Sequence, residues 1–228
     1  DDYAVEEAVQ ISEAEDDVEV VTATIGPERA EETIRMALAK GADRAVRVWD
    51  DDIEAAEHLD VDAKADLLAG VVEEEDPDLV LSGVQSGDEA NGATGVALAE
   101  KIGFEWAAVV NQLDLDAGDG VAHVHRELEG GVEEITDVET PAVLTIQSGI
   151  NEPRYASLRG IRQAQSKPLD VQTLDDLGVD ASELESPLSR TSMYEPESEG
   201  EAELWEGDAE ETAGKLAAFL RDKGVVEA

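Results

Sequence analysis

Short runs rich in β-branched residues alternate along this chain with helix-type apolar stripes, and glycine or proline cuts off most of the runs. Residues 18–25 (VEVVTATI), 45–49 and 79–82 read as strands. Residues 4–14 carry Ala4, Val5, Ala8 and Ile11 at helical spacing. Ala30, Ile34, Ala37 and Leu38 form a second stripe, with Pro27 read as its first helical position and Gly41 as its stop. A third helix is expected from a cap at Asp62 to about Glu75, broken by Pro77. This βαβαβ order predicts an α/β domain: a parallel sheet with right-handed crossovers, sandwiched by helices.

After residue 82 a small-residue loop leads into a helix expected over residues 94–102. The pattern then changes. Residues 107–115, 121–128 and 132–138 read as strands joined by Gly/Asp turns, which predicts an antiparallel extension, and residues 142–147 read as one more strand. Residues 1–183 are therefore taken as the α/β domain. Residues 184–204, rich in Ser, Pro and Glu, read as a linker. Residues 205–228 read as an arm helix with Ala213, Leu216, Ala217, Phe219 and Leu220 on its apolar stripe. Such a helix has no core of its own and is expected to dock on its own domain or a partner, with a partner the preferred expectation. The first residues read as helix, whereas a sheet of this kind normally begins with a strand, so an N-terminal strand is expected to be missing from this sequence.

Charge narrows the function. Fifty-seven acids face sixteen bases, a net charge of −41 over 228 residues. Phosphate backbones would be repelled, so nucleic acid is not an expected partner. The apolar pattern is too regular for a disordered acidic tail. Self-repulsion on this scale is tolerable when screened, and the Debye length is about 3 Å at 1 M salt. A salt-rich cytoplasm is the expected setting. No apolar run is long enough to span a membrane, and no secretory signal pattern opens the sequence.

Without cysteine, thiolate chemistry and Cys-based metal sites are absent. His123 and His125 point the same way from one strand and read as a solvated face; no metal site is expected. Runs such as Asp50-Asp51-Asp52 and Glu73-Glu74-Glu75-Asp76 read as solvated faces, and Trp49, Trp106 and Trp205 as packing residues. No catalytic group stands out.

Two segments carry more information. The first is Gly83-Val84-Gln85-Ser86-Gly87-Asp88-Glu89-Ala90-Asn91-Gly92-Ala93-Thr94, continuing into Gly95. Glycines let backbone N–H groups approach a phosphate, and a loop at the carboxyl end of a parallel strand feeding a helix is where such sheets bind ligands. Thr94 or Asn91 is read as the helix cap and a donor to phosphate. The loop is neither a Walker A sequence nor a GxGxxG fingerprint, and Ser86 does not sit in a nucleophile elbow. An ordinary, well-capped strand–helix turn fits the pattern as well as a nucleotide site does.

The second segment is Asn151-Glu152-Pro153-Arg154-Tyr155-Ala156-Ser157-Leu158-Arg159-Gly160-Ile161-Arg162-Gln163-Ala164-Gln165-Ser166-Lys167. One residue in four of the chain is acidic, yet none is from Pro153 to Leu169, which holds Arg154, Arg159, Arg162 and Lys167. A basic island in so acidic a chain suits an anion, either a flavin pyrophosphate or the acidic surface of a partner. The competing reading is a helix whose arginines pair internally.

Together these segments resemble the electron transfer flavoprotein beta subunit family. NEPRYASLRGI at residues 151–161 is the strongest match. YAVEEAVQI, GPERAEETIRMALAKGADRAVRV, PDLVLSGVQSGDEANGATG and RELEGGVEEI support it, and the likeness runs to about Asp180. The resemblance implies a Rossmann-like α/β fold and an alpha–beta heterodimer whose electron-carrying FAD sits mainly on alpha. It implies a structural AMP in beta, contacted by Ile25 and residues 83–94, or a second FAD in flavin-bifurcating members; the GDEANGATG loop matches neither version cleanly, and AMP is the preferred expectation. Arg154 through Gln163 match the loop that docks on acyl-CoA or other flavin dehydrogenases, with Leu158 as the inserted anchor, and the arm helix matches a clasp on alpha. Arg154 is also expected near the flavin. The resemblance implies an electron carrier rather than an enzyme. An ATP-pyrophosphatase lacks support because its SGGxDS-like loop is absent, and a universal-stress-type regulatory module would need neither the basic island nor the arm.

Overall fold

The computed structural model describes residues 1–195 and 204–225. Helix α1 (Asp2–Ala14) is followed by β1 (Val21–Ile25), α2 (Glu31–Lys40), β2 (Arg44–Val48), the short α3 (Asp51–Ala55) and α4 (Val61–Glu75). Next come β3 (Leu79–Gly83), α5 (Thr94–Ile102), β4 (Glu105–Asp116), β5 (Val121–Leu128), β6 (Val132–Glu139) and β7 (Ala142–Ile146). The order ends with α6 (Leu158–Ala164), β8 (Leu169–Gln172), α7 (Leu174–Leu177) and α8 (Ala209–Asp222). Two compact units result, Asp1–Ser189 and Arg190–Ala228.

The mixed α/β architecture has the expected parts, but its strands divide between two hydrogen-bonded ladders. One is all parallel, in the order β1-β2-β8, with Val21 opposite Arg44 and Ala45 opposite Leu169. The other runs β3-β7-β4-β5-β6. Its β3, β7 and β4 are parallel, and β4-β5-β6 form the antiparallel extension. Strand β8 was not expected. Its four residues, LDVQ, are too few to show a period, and pairing with β2 rather than local preference makes them a strand.

The cores follow the apolar periods. Every residue of β7 is buried, as a strand covered on both faces should be. Its Ala142, Leu144 and Ile146 pack with Ala4 of α1 and with Val110 and Val124 of the extension. Val46 and Val48 of β2 meet Leu67 and Val71 of α4, Ile53 of α3 and Leu184. Ile34 and Leu38 of α2 pack on Val20, Ala45 and Ala164.

Three local readings are corrected. Asp60, not Asp62, caps α4, its carboxylate accepting from the N–H groups of Asp62 and Ala63 at 3.0 Å each. Pro27 precedes a three-residue 3-10 turn, and α2 starts only at Glu31. The first strand starts at Val21, since Val18 is exposed and outside the ladder.

Leu184, read as the start of the linker, is buried at the end of a 3-10 turn, and Ser186 Oγ donates to Asp60 at 2.6 Å. The rest of that linker lies partly outside the described residues. In the second unit Asp208 caps α8, and the rings of Trp205 and Phe219 meet edge-on at 5.4 Å. No residue of α8 is buried. Among the described residues, no helix is long and apolar enough to cross a membrane.

Candidate functional site

The glycine-rich loop begins where β3 ends. Gly83 N–H donates to Asp1 Oδ1 at 2.7 Å, tying the strand end to the start of α1. Val84 to Ala93 then run over the surface without regular structure, and Ala90 and Gly92 both take left-handed backbone (φ 56° and 61°). For Gly92 this is free of steric cost; for Ala90 it costs about 1 kcal/mol.

Helix α5 opens at Thr94. Its N-cap is Ala93, and no side chain caps it. Thr94 is thus the first helical residue and Asn91 turns to Glu89, so neither is the expected cap. Among the described residues, no side chain accepts from the first N–H groups of α5, which suits an anion. Gly95 is required at the next position, because a Cβ there would stand 2.6 Å from Thr145 Cγ2 and 2.8 Å from Ser82 Oγ. The Ser82 hydroxyl is buried without a hydrogen-bond partner among the described residues.

The loop contains no basic residue. Its Glu89 is engaged by Lys64 from α4, and the exposed Asp88 carboxyl is held below its usual range by hydrogen bonds from Ser86 and the Glu89 backbone. Ile25 lies half-buried at the carboxyl end of β1 opposite Val48.

The basic island lies elsewhere in the same unit, against α1 and α2, and the structure divides its four cations. Arg154 is spent internally. Its Nε and Nη2 donate to the two oxygens of Glu6 at 2.9 and 3.0 Å, and Nη1 and Nη2 donate to Glu13 at 2.6 and 2.9 Å. The guanidinium pKa is raised by hydrogen bonds to Glu13 and Glu6. Arg154 is therefore tied to α1 through Glu6 and Glu13, with its side chain still 30% exposed.

Lys167 is also committed. Its Nζ donates to the carbonyls of Leu38, Gly41 and Ala42, closing the end of α2. Arg35 of α2 returns the favour, donating to the carbonyls of Ala164 and Lys167 at 2.8 Å each and closing the end of α6. Arg35 of α2 thus binds carbonyls at and just past the end of α6, and Lys167, three residues beyond α6, binds carbonyls at and just past the end of α2. Gly160 permits the close crossing, since a Cβ there would lie 2.3 Å from Ala39 O.

Arg159 and Arg162 remain. Both are exposed on α6, and neither has an ion pair or side-chain hydrogen bond to a described residue. Around them Leu158 is 79% exposed, Tyr155 98% and Ile161 39%. Gln163 is exposed, Ala156 half-buried, and Ser157 caps α6 by accepting from Gly160 N–H at 3.0 Å. The result is an apolar projection flanked by two uncommitted cations.

Sequence reasoning missed what holds this face. Glu6 is 3% exposed in α1. Burial pushes its carboxyl up, but hydrogen bonds from the Arg154 side chain, Gln10 and the Arg154 N–H outweigh burial and bring the pKa down to about 2. Asn151 Nδ2 donates to Tyr3 O at 3.0 Å and to Glu7 Oε2 at 2.8 Å. Burial raises the Glu7 carboxyl, Asn151 partly offsets that, and neighbouring Glu6 adds to the rise. The available signal was the spacing of Glu6, Gln10 and Glu13, which share one helical face.

The histidines meet the extension's own acids: His123 Nδ1 lies 2.7 Å from Asp137 and His125 Nε2 lies 3.3 Å from Glu133. Among the described residues no cluster of His, Asp and Glu is arranged for a metal ion.

The family profile of the electron transfer flavoprotein domain matches residues 1–177. The chain belongs to the electron transfer flavoprotein beta-subunit family. It is 46% identical to the electron transfer flavoprotein subunit beta of Methylophilus methylotrophus, over 97% of this chain and 84% of that one. It is 33% identical to the Bacillus subtilis subunit beta, over 99% and 86%, and 38% identical to the human one, over 98% and 83%. The matched region of the electron transfer flavoprotein profile takes in both the glycine loop and the Arg154–Gln163 segment.

Proposed function

We propose that this chain is the beta half of a heterodimeric electron carrier, which receives electrons from flavin dehydrogenases and passes them to an electron-transport acceptor. The FAD that carries them is held mainly by the alpha subunit, and the setting is a salt-rich cytoplasm. The observation that carries this reading is Leu158, an apolar side chain left 79% exposed beside two cations without described partners. A desolvated apolar anchor ringed by polar groups is the usual form of an interface hot spot. At contact range, Arg159 and Arg162 add attraction for an acidic partner surface.

For the glycine loop the proposal is a bound AMP with a structural role. The unpaired amides at the start of α5 and the partnerless Ser82 hydroxyl fit a small polar ligand. The absence of any cation from Gly83 to Thr94 favours one phosphate over the pyrophosphate of a second FAD. AMP would supply no redox chemistry; it would fill and brace the carboxyl end of β3.

The test is Leu158→Ala in the complex with the alpha subunit. Flavin content is expected to stay at the wild-type level, while the KM for an acyl-CoA dehydrogenase donor rises at least about tenfold. Unchanged transfer kinetics would remove the docking reading.

A further inference from the structure

The chain between Asn151 and the cap of α6 has little to hold it. Residues 152–157 form no helix or strand, and Tyr155 in their midst is almost fully exposed. Among the described residues, the hydrogen bonds that tie this stretch to the rest of the fold all leave from Arg154 and end on Glu6 or Glu13 of α1. Glu6 receives three of them, one from the backbone N–H and two from the guanidinium, and its side chain is only 4% exposed. Glu13 is 60% exposed and receives two.

We propose that Glu6 is the positioning residue of the docking segment: by gripping Arg154 through both backbone and side chain, it fixes where the chain enters α6 and so where Leu158 projects. This inference rests on the docking reading for its functional consequence, but its structural content stands apart from it. A buried carboxylate suits the task because it accepts several strong hydrogen bonds at once and is little screened by salt. The bidentate fork of arginine fixes direction as well as distance, which lysine cannot do. The far end of α6 is held independently by Arg35, Lys167 and the Gly160 crossing. The segment is thus held at both ends with its apolar tip outward, and its ordering is completed before any partner arrives.

The experiment uses the alpha–beta complex carrying Glu6→Gln, Glu13→Gln or Arg154→Lys, with two readouts. The first is the rate of trypsin cleavage after Arg159 and Arg162 in the complex without donor, mapped by mass spectrometry against cleavage after Arg126 in the distant hairpin. Glu6→Gln and Arg154→Lys are expected to speed cleavage at Arg159 and Arg162 by about tenfold, with Arg126 unchanged, because a locally opened segment is the form a protease cuts. Glu13→Gln is expected to give a smaller change in the same direction. Since Glu13 is mostly exposed, this variant keeps the test alive if Glu6→Gln does not assemble. The second readout is the donor KM, expected to rise with kcat at saturating donor unchanged.

Wild-type cleavage rates in the assembled variants would overturn the positioning role. Faster cleavage with an unmoved donor KM would leave Glu6 in that role and remove the docking reading instead. A raised KM in Leu158→Ala together with wild-type cleavage in Glu6→Gln would do the reverse.

Discussion

Gly160→Ala offers a test in which two physical effects predict opposite signs. Gly160 lies inside α6 without left-handed backbone, so by helix preference alone alanine would stabilise the protein by about 1 kcal/mol. Packing says otherwise. The added methyl would stand 2.3 Å from the carbonyl oxygen of Ala39, about 1 Å inside an ordinary carbon–oxygen contact. That oxygen is backbone and cannot rotate away. Nor can α6 back off freely, since Arg35 and Lys167 bind the two helix ends to each other. Overpacking of this kind costs about 1–3 kcal/mol, and against an unyielding atom the upper half of that range applies. Subtracting the helix gain leaves a net loss of about 1–2 kcal/mol, or about 2–8 °C in Tm for a protein of this size. The measurement is thermal unfolding followed by circular dichroism at one fixed KCl concentration. Gly214→Ala in α8 is the sign control, because a Cβ there meets nothing within 4 Å. Slower amide exchange in α8 is expected for it. A Gly160→Ala protein as stable as the parent, or more so, would mean that α6 does not cross α2 as closely as the Ala39 contact requires, and the pinning of the Leu158 face would go with it.

Two further outcomes are expected. Raising KCl from about 0.1 M to about 1 M shortens the Debye length from about 10 Å to about 3 Å, so the Tm should climb across that range as the −41 net charge is screened; a flat or falling Tm would remove the salt-adaptation reading. Glu7→Gln should be more stable than the parent at pH 7. Burial raises the folded pKa of Glu7, so its charged form weakens the fold at pH values above that pKa, and the neutral amide removes the penalty while still accepting from Asn151. The advantage should shrink as the pH falls toward the ordinary glutamate range near about 4.3, where Glu7 of the parent is already protonated in the folded state. Urea midpoints at pH 7 and pH 5 decide it, and a less stable Gln variant at pH 7 would refute the assigned direction.

Much of the fold could be read because its signals are local. Helix α5 begins and ends where expected, since Gly103 terminates it in left-handed backbone and the glycine loop precedes it. Strand β5 also matches at both ends, bounded by turns whose Gly120, Gly130 and Gly131 all have positive φ. Misreadings arose where two local options were equal and tertiary geometry chose between them. Asp60 and Asp62 are both plausible caps in LDVDAK, and only the path of the chain into α4 selects the first. The candidate site divides the same way. Leu158 and its exposed arginines sat in a contiguous acid-free stretch that anyone counting charges would notice. The partners of Arg154 could not be seen, because Glu6 and Glu13 lie 148 and 141 residues away among 57 acids that look alike in the sequence. Which carboxylate is buried depends on packing, and packing is not written in composition.

The outward leucine has one more implication. In molar salt a guanidinium is felt across little more than the width of a water molecule, so Arg159 and Arg162 cannot draw a partner in from a distance. Apolar contact is not weakened in that way, and salts that are excluded from protein surfaces strengthen it. In brine, then, recognition would fall first to a greasy knob whose grip is untouched by the screening that shortens the reach of its charged neighbours.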